Sequence, residues 1–127
     1  MQRHHIIFLA LLLSPSSFAE KPEPHTGLWL KHQMDSWETV SAHDGRTARP
    51  EEAVDFGLFA GYVNGVTDAL WDLSVCVPQG TTYDQTYAVV AKYLKGNPEK
   101  WHLSPFLLTS TALKEAFPCK NRVMRAR

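Results

Sequence analysis

The chain is organised around residues 56–76, FGLFAGYVNGVTDALWDLSVC. Apolar or small residues recur there every three or four positions, the spacing of one buried helix face: Phe56, Phe59, Ala60, Val63, Val66, Leu70 and Leu73. The polar residues between them are predicted to form a solvated face and exclude a membrane span: Asp55, Asn64, Asp68 and Asp72. The pattern predicts a long amphipathic helix that begins at Pro50 and ends at Cys76.

Two glycines, Gly61 and Gly65, lie four positions apart inside this predicted helix. Each glycine costs about 1 kcal/mol relative to alanine in a helix interior. A neighbouring backbone lying against a groove without side chains would compensate for that cost. We therefore predict that the backbone of another segment packs closely against the central helix at these two glycines.

Two further helices are predicted on either side of the central one. The first spans residues 27–40, where apolar side chains follow a loosely helical spacing. Thr82 and Gln85 have the spacing of a capping box, which predicts a helix over residues 83–95. The buried face of that helix would consist of Tyr83, Tyr87, Val90 and Leu94.

A last helix is predicted over residues 105–117, with Ser104 as its cap. Its inner stripe would consist of Phe106, Leu107, Ser110, Leu113 and Phe117. Because no segment shows sustained period-two alternation, strands are not expected. The fold class is therefore all-α, a small single-domain bundle of about four helices.

The first nineteen residues have the features of a cleavable signal peptide. Arg3 provides a cationic start, residues 6–13 form an apolar run of eight, and small residues precede a cleavage position after Ala19. That run is far shorter than the roughly 20 apolar residues that span a bilayer. We expect an exported domain over residues 20–127, in the periplasm of a Gram-negative cell.

Composition narrows the possible partners. The 13 basic and 13 acidic residues balance, so the chain has no basic field for nucleic acid or an anionic membrane. Its two cysteines, Cys76 and Cys119, both lie outside the predicted leader. In an oxidising compartment such a pair is interpreted first as a disulfide.

No set of residues with catalytic or metal-binding spacing is visible, so neither an enzyme nor a cofactor is expected. Beyond the leader the histidines occur singly, and no HExxH or CxxC motif is present. Asp68 and Asp72 lie one helical turn apart and would make a pair of acid/base carboxylates. A solvated helix face is the commoner arrangement.

Large aromatic residues are plentiful for so small a domain, and two of them are candidates for contact with a partner. Trp71 lies beside the buried stripe, and Trp101 lies in a loop between a proline and a helix cap. Exposed tryptophans often anchor protein interfaces. The predicted partner-binding set is Asp68, Trp71, Asp72, Asn97, Glu99, Lys100 and Trp101. The alternative, in which Trp101 packs inward beneath the last helix, stays open.

Three stretches together resemble one family: GYVNGVTDAL, CVPQGTTYDQTYAVVAKYLKGNPEKWH and ALKEAFPC. The chain resembles the Rap/Tai family of periplasmic immunity proteins over residues 56–119. The resemblance implies a small helical protein, often a homodimer, that blocks a peptidoglycan amidase effector delivered by type VI secretion. It also implies that Cys76 and Cys119 are the family's shared disulfide. A second cysteine pair found in many members is missing, and Phe59 occupies one of its positions.

Two other classes of function were weighed against an immunity protein. A periplasmic acid-stress chaperone is also small, helical and single-disulfide, and the four histidines beyond the leader and the 13 carboxylates do not exclude it. A peptidoglycan hydrolase would need a catalytic set that the sequence lacks. A neighbouring reading frame for a secreted hydrolase would favour immunity, whereas protection of client proteins at low pH would favour the chaperone.

Overall fold

The part of the chain that the structure describes contains four α-helices, as the sequence predicts. The structure, a computed structural model, describes residues 21–120, so the predicted leader and most of the basic tail lie outside it. The helices are α1 (Gly27–Ala42), α2 (Pro50–Leu70), α3 (Tyr83–Gly96) and α4 (Pro105–Ala116). A single 3-10 turn, Pro98–Lys100, precedes α4, and the described part of the chain contains isolated β-bridges but no strand. The all-α prediction is confirmed.

Polar side chains begin three of the helices. The hydroxyl of Thr26 accepts the Trp29 N–H at 3.1 Å and starts α1. Thr82 and Gln85 form the predicted reciprocal capping box at the start of α3. The predicted cap of α4 is also present, because the Ser104 hydroxyl accepts a backbone N–H from α4 at 3.2 Å. These bonds satisfy donors that have no partner inside their own helix.

The core joins all four helices around a cluster of three aromatic rings. Trp37 of α1 and Phe59 of α2 have ring centroids 5.6 Å apart. Tyr87 of α3 lies edge-on to both rings, at 6.2 and 6.1 Å. Leu108 and Leu113 of α4 are also fully buried in this core. Phe59, at the position where the resemblance implies a cysteine in many relatives, is therefore a central packing residue.

The end of α2 differs from the prediction. The helix ends at Leu70 and not at Cys76, because Trp71 leaves the helical conformation and Asp72 has a φ of 56°. The carbonyl of Leu70 accepts three successive backbone N–H groups, from Leu73, Ser74 and Val75. Asp68 and Asp72 therefore do not share a helix face.

The predicted disulfide between Cys76 and Cys119 is present. It joins the connector between α2 and α3, residues 71–82, to the end of α4. Backbone bonds accompany it, since the Cys76 N–H donates to the Phe117 carbonyl at 2.9 Å. Val75, which is fully buried, forms an antiparallel bridge with Pro118. The connector is therefore fixed to the bundle along its middle.

The predicted close approach at Gly61 and Gly65 is wrong. Both glycines are exposed, and a Cβ added at either would meet no heavy atom within 4 Å. The close approach occurs at Gly27 instead. A Cβ there would lie 2.3 Å from Leu108 Cδ1 and 2.8 Å from the Trp101 carbonyl oxygen.

The buried faces of several helices also differ from the predicted ones. Leu73, Tyr83, Phe106 and Leu107 were expected inside but are exposed. In α4 the buried residues are Pro105, Leu108, Thr109, Ser110, Ala112 and Leu113, because the stripe is displaced by about one position from the predicted one. Conversely, Asp55 was expected to be solvated, yet only 4% of it is exposed.

Candidate partner-binding site

A cleft of about 150 Å³ lies where the end of α2 meets the start of α3. Its lining combines two aromatic rings, one carboxylate and several hydroxyl groups: Asn64, Thr67, Asp68, Trp71, Val77, Thr81, Thr82, Tyr83 and Thr86. Two members of the predicted contact set, Asp68 and Trp71, therefore share one site. Tyr83 joins them, although the sequence pattern assigned it to the core.

The two aromatic rings of the cleft are accessible. Trp71 is 48% exposed and Tyr83 is 72% exposed. Tyr83 is stacked on Tyr87, with ring centroids 6.5 Å apart and an interplanar angle of 19°. Tyr87 is itself held, since its hydroxyl accepts the Asn64 Nδ2–H at 2.9 Å. Accessible tryptophan and tyrosine held in place are typical of interface anchors.

The connector holds Trp71 and Leu73 in fixed positions at the surface. The Trp71 N–H donates to the Asp68 carbonyl at 3.3 Å, and Trp71 forms a bridge with the buried Val75. Leu73, two residues on, is 73% exposed. The buried Val75 and the disulfide-bonded Cys76 follow directly, so the backbone next to Trp71 and Leu73 is held to the rest of the bundle.

Most hydroxyl groups in the cleft already have partners within the chain. Thr67 Oγ1 donates to the Val63 carbonyl at 2.7 Å, and Thr86 Oγ1 donates to the Thr82 carbonyl at 3.2 Å. Asp68, in contrast, is exposed and forms no ion pair with any residue between 21 and 120. It is also the one charged side chain that lines this cleft.

Asp72 follows Trp71 in the chain but does not line the cleft. The other four predicted contact residues, Asn97, Glu99, Lys100 and Trp101, lie at the other end of α3. That helix has 14 residues, so its two ends are about 20 Å apart. Lys100 Nζ donates to Asn97 Oδ1 at 2.8 Å and lies 5.3 Å from the Tyr93 ring centroid. Glu99 is exposed beside them. The structure thus divides the predicted set into two separate surfaces.

Trp101 is half-buried and makes several contacts within the chain. Its indole N–H donates to the Leu94 carbonyl at 2.9 Å, and its own carbonyl accepts the Leu28 N–H at 2.9 Å. Lys31 Nζ lies 5.4 Å from the centre of the ring. These contacts join the end of α3 to the start of α1, which gives Trp101 a structural role.

Sequence reasoning missed a second, polar cleft between α1 and α2. The buried carboxylate of Asp55 lies there, 3.7 Å from Lys21 Nζ and 3.6 Å from His32 Nδ1. No grouping of three or more possible metal ligands occurs among residues 21–120. Over the same residues, no helix has the length and apolarity that crossing a membrane requires.

The fold and the site describe a small disulfide-bonded helical protein with an ordered aromatic surface, which is the architecture of a binding protein. The model of the Rap1a immunity proteins matches residues 35–119, so the chain belongs to that family. The predicted resemblance is confirmed, and the matched region includes the cleft and both cysteines. Comparison with curated proteins and with solved structures gave no significant match.

Family membership indicates an immunity protein that binds a cognate effector. Proteins of this family are periplasmic and are generally not enzymes. The residues that bind the effector are a separate question, which the geometry of the cleft addresses.

Proposed function

We propose that this chain is a periplasmic immunity protein that binds a secreted peptidoglycan amidase and covers its active-site cleft. The observation that carries the proposal is the match to the Rap1a immunity proteins over residues 35–119. Such a protein acts by blocking access of the substrate to the active site of the effector. It therefore needs an ordered binding surface and no catalytic groups of its own. Family membership supports this function over that of an acid-stress chaperone.

The surface around Trp71 suits this task better than the loop around Trp101. An amidase cleft that admits a peptidoglycan stem is open enough to receive a protruding side chain. Leu73 is 73% exposed on a connector that the disulfide fixes, and Trp71 and Tyr83 extend the same surface. Burying such aromatic anchors supplies most of the binding energy at a typical interface. Asn97, Glu99 and Lys100 remain candidates for a second, peripheral contact.

We also propose that the protein is a homodimer. The outer face of α2 supports this, because its exposed residues include the apolar side chains of Val54 and Leu58 next to the bare backbone of Gly61. Light scattering after size exclusion tests the proposal directly. We expect twice the monomer mass at micromolar concentration, and Leu58→Asp should shift the protein toward the monomer. A monomer mass for the wild type at all concentrations would contradict it.

The proposed site of action is the periplasm, reached through a leader over residues 1–19 that is cleaved on export. In that compartment the disulfide between Cys76 and Cys119 would persist. Cleavage can be checked by determining the mass of the protein recovered from a periplasmic extract. A protein that retains residues 1–19 would contradict this proposal.

The experiment that tests the function is protection of cells. A secreted amidase encoded next to this gene is directed to the periplasm, with or without this chain. We expect cells to lyse without the chain and to grow with it, and a version lacking residues 1–19 should not protect. If the full chain gives no protection against any neighbouring effector but protects clients at low pH, the chaperone function is correct instead.

A further inference from the structure

We propose that the cleft between α2 and α3 binds a cationic side chain, an arginine or a lysine, of the effector. The inference rests on the proposed function and specifies the chemistry of its contact. Three observations carry it: the charges of the segment that forms this end of the molecule, the groups in the cleft, and the lack of an ion-pair partner for the Asp68 carboxylate among residues 21–120.

The first observation concerns charge. Between Arg49 and Lys92 the sequence contains no lysine, arginine or histidine. That segment forms α2, the connector and most of α3. At the end where the cleft lies, the charged residues of this segment are therefore all acidic: Asp68, Asp72 and Asp84. These three carboxylates favour a cation over an anion at this end of the segment.

The second observation is the chemical composition of the cleft. The Asp68 carboxylate shares it with the exposed rings of Trp71 and Tyr83. An aromatic face attracts a cation through the ring quadrupole, and a planar guanidinium both stacks on such a ring and pairs with a carboxylate. The C-terminal end of α2 and the N-terminal end of α3 meet at the cleft, so their dipoles oppose each other and the Asp68 carboxylate supplies the net charge.

The third observation is that hydroxyl groups of the cleft are hydrogen-bonded within the chain, whereas the Asp68 carboxylate has no ion-pair partner among residues 21–120. The hydroxyls of Thr67 and Thr86 bond to carbonyls of their own helices. Asp68 forms no ion pair with any residue that the structure describes. A cation in the cleft would therefore meet a carboxylate without an ion-pair partner among the described residues, together with two exposed rings.

The chain itself contains one other source of the same chemistry. The segment after Cys119 carries Arg122, Arg125 and Arg127, and Cys119 is bonded to Cys76 in the connector. We assign the site to the effector because the cleft belongs to the proposed contact surface. Occupation by the chain's own basic segment is an outcome that the experiment distinguishes.

Nuclear magnetic resonance with capped arginine tests the chemistry of the cleft without the effector. Uniformly labelled full-length protein is titrated with N-acetyl-arginine amide, and with the neutral isostere N-acetyl-citrulline amide. The indole signal of Trp71, assigned with Trp71→Phe, should shift saturably with arginine alone. Asp68→Asn should weaken that binding about tenfold. Equal shifts with both ligands, or none at Trp71, would overturn the proposal.

Binding measurements with the purified effector distinguish a failure of the cleft proposal from a failure of the proposed function. Asp68→Asn and Trp71→Ala should each bind the purified effector at least tenfold more weakly than the wild type. Glu115→Gln and Phe106→Ala, which remove an exposed carboxylate and an exposed ring on α4, should bind as the wild type does. If all four variants bind the effector equally well, the cleft proposal fails while the immunity function stands. If the wild type binds no effector, the function fails.

A triple variant tests whether the chain's own basic segment, and not the effector, occupies the cleft. Replacing the three arginines of the tail (R122Q/R125Q/R127Q) should leave the affinity for capped arginine unchanged. A tighter affinity in the triple variant would show that the tail competes for the cleft, which would overturn the assignment to the effector.

Discussion

Gly27 is the residue least able to accept a side chain. An added Cβ would lie 2.3 Å from Leu108 Cδ1 and 2.8 Å from the backbone oxygen of Trp101. Leu108 is buried and the Trp101 carbonyl is bonded to Leu28, so neither has room to move. Gly27→Ala should therefore lower the free energy of unfolding by roughly 1–3 kcal/mol, measured by urea denaturation. An unchanged midpoint would show that α1 begins differently.

Gly61 provides the matched control for that substitution. It lies in the interior of α2, and an added Cβ would meet nothing within 4 Å. Gly61→Ala should therefore raise the free energy of unfolding by up to about 1 kcal/mol, through helix propensity and a less flexible unfolded chain. Both proteins are compared in the Leu58→Asp background, because the proposed dimer would cover this face. A loss of stability there would contradict the open environment of Gly61 within the chain.

These two glycines show why the sequence could not locate the close approach. A glycine inside a helical pattern indicates either a backbone contact or an open surface, and the pattern is the same in both cases. The environment of Gly27 depends on Leu108 and Trp101, which are distant in the chain. Tyr83 was misassigned for a similar reason, because its helical spacing fits the core but it lies in the first turn, stacked outside Tyr87.

At the scale of elements, the start of α2 makes a pH-dependent contribution to stability. The hydrogen bond from the Arg49 side chain, together with one from its backbone N–H, lowers the pKa of the Glu52 carboxyl. A lowered pKa in the folded state stabilises the protein above the ordinary pKa, and this contribution is lost as pH falls through the lowered value. Glu52→Gln should cause a small drop in melting temperature at pH 7 that shrinks as the pH is lowered below the ordinary pKa of a glutamate carboxyl. A drop of the same size at low pH would contradict this origin.

The connector between α2 and α3 depends on the disulfide. Cys76 and Cys119 are separated by 43 positions, and closing a loop of that size stabilises the fold by about 4 kcal/mol in the chain-entropy model. The double variant Cys76→Ala/Cys119→Ala should lose stability of that order in chemical denaturation. Its folded fraction should also bind the effector more weakly, because Trp71 and Leu73 lose their fixed support. Unchanged stability would show that the backbone bonds suffice.

Of the two tryptophans near opposite ends of α3, Trp101 is predicted to stabilise the fold and Trp71 to bind the effector. Trp101 bonds to the Leu94 carbonyl and joins α3 to α1, so Trp101→Ala should cost about 2–4 kcal/mol of stability. Trp71 is half exposed, so Trp71→Ala should melt close to the wild type and lose effector binding instead. Thermal melts and binding measurements on both variants provide the test. The reverse assignment would move the contact surface to the Trp101 loop.

Local signals predicted the starts of the helices well but not the end of α2. The caps at Thr82 and Ser104 involve residues three positions apart, so sequence alone identifies them. The apolar spacing beyond Leu70 continues to fit a helix, which is why the prediction ran on to Cys76. The chain turns there because Val75 is buried against Pro118 and Cys76 is bonded to Cys119, contacts that involve the far end of the sequence.

At the scale of the whole molecule, the all-α class, the disulfide and the family were predictable from sequence. The division of the predicted contact residues into two surfaces was not. Asp68 and Trp71 come before α3 in the chain, and Asn97 and Lys100 come after it. The length of α3 therefore places these two pairs about 20 Å apart. Only the assembled bundle shows that the first pair shares a cleft with Tyr83.

The central claim is that the chain inhibits an amidase by covering its cleft. The most direct test is to measure peptidoglycan hydrolysis by the purified effector while titrating the purified, oxidised protein. We predict that hydrolysis falls to the background rate at one binding site per enzyme, and that Trp71→Ala shifts the titration to at least tenfold higher concentration. A stable complex that hydrolyses peptidoglycan at the uninhibited rate would contradict the claim.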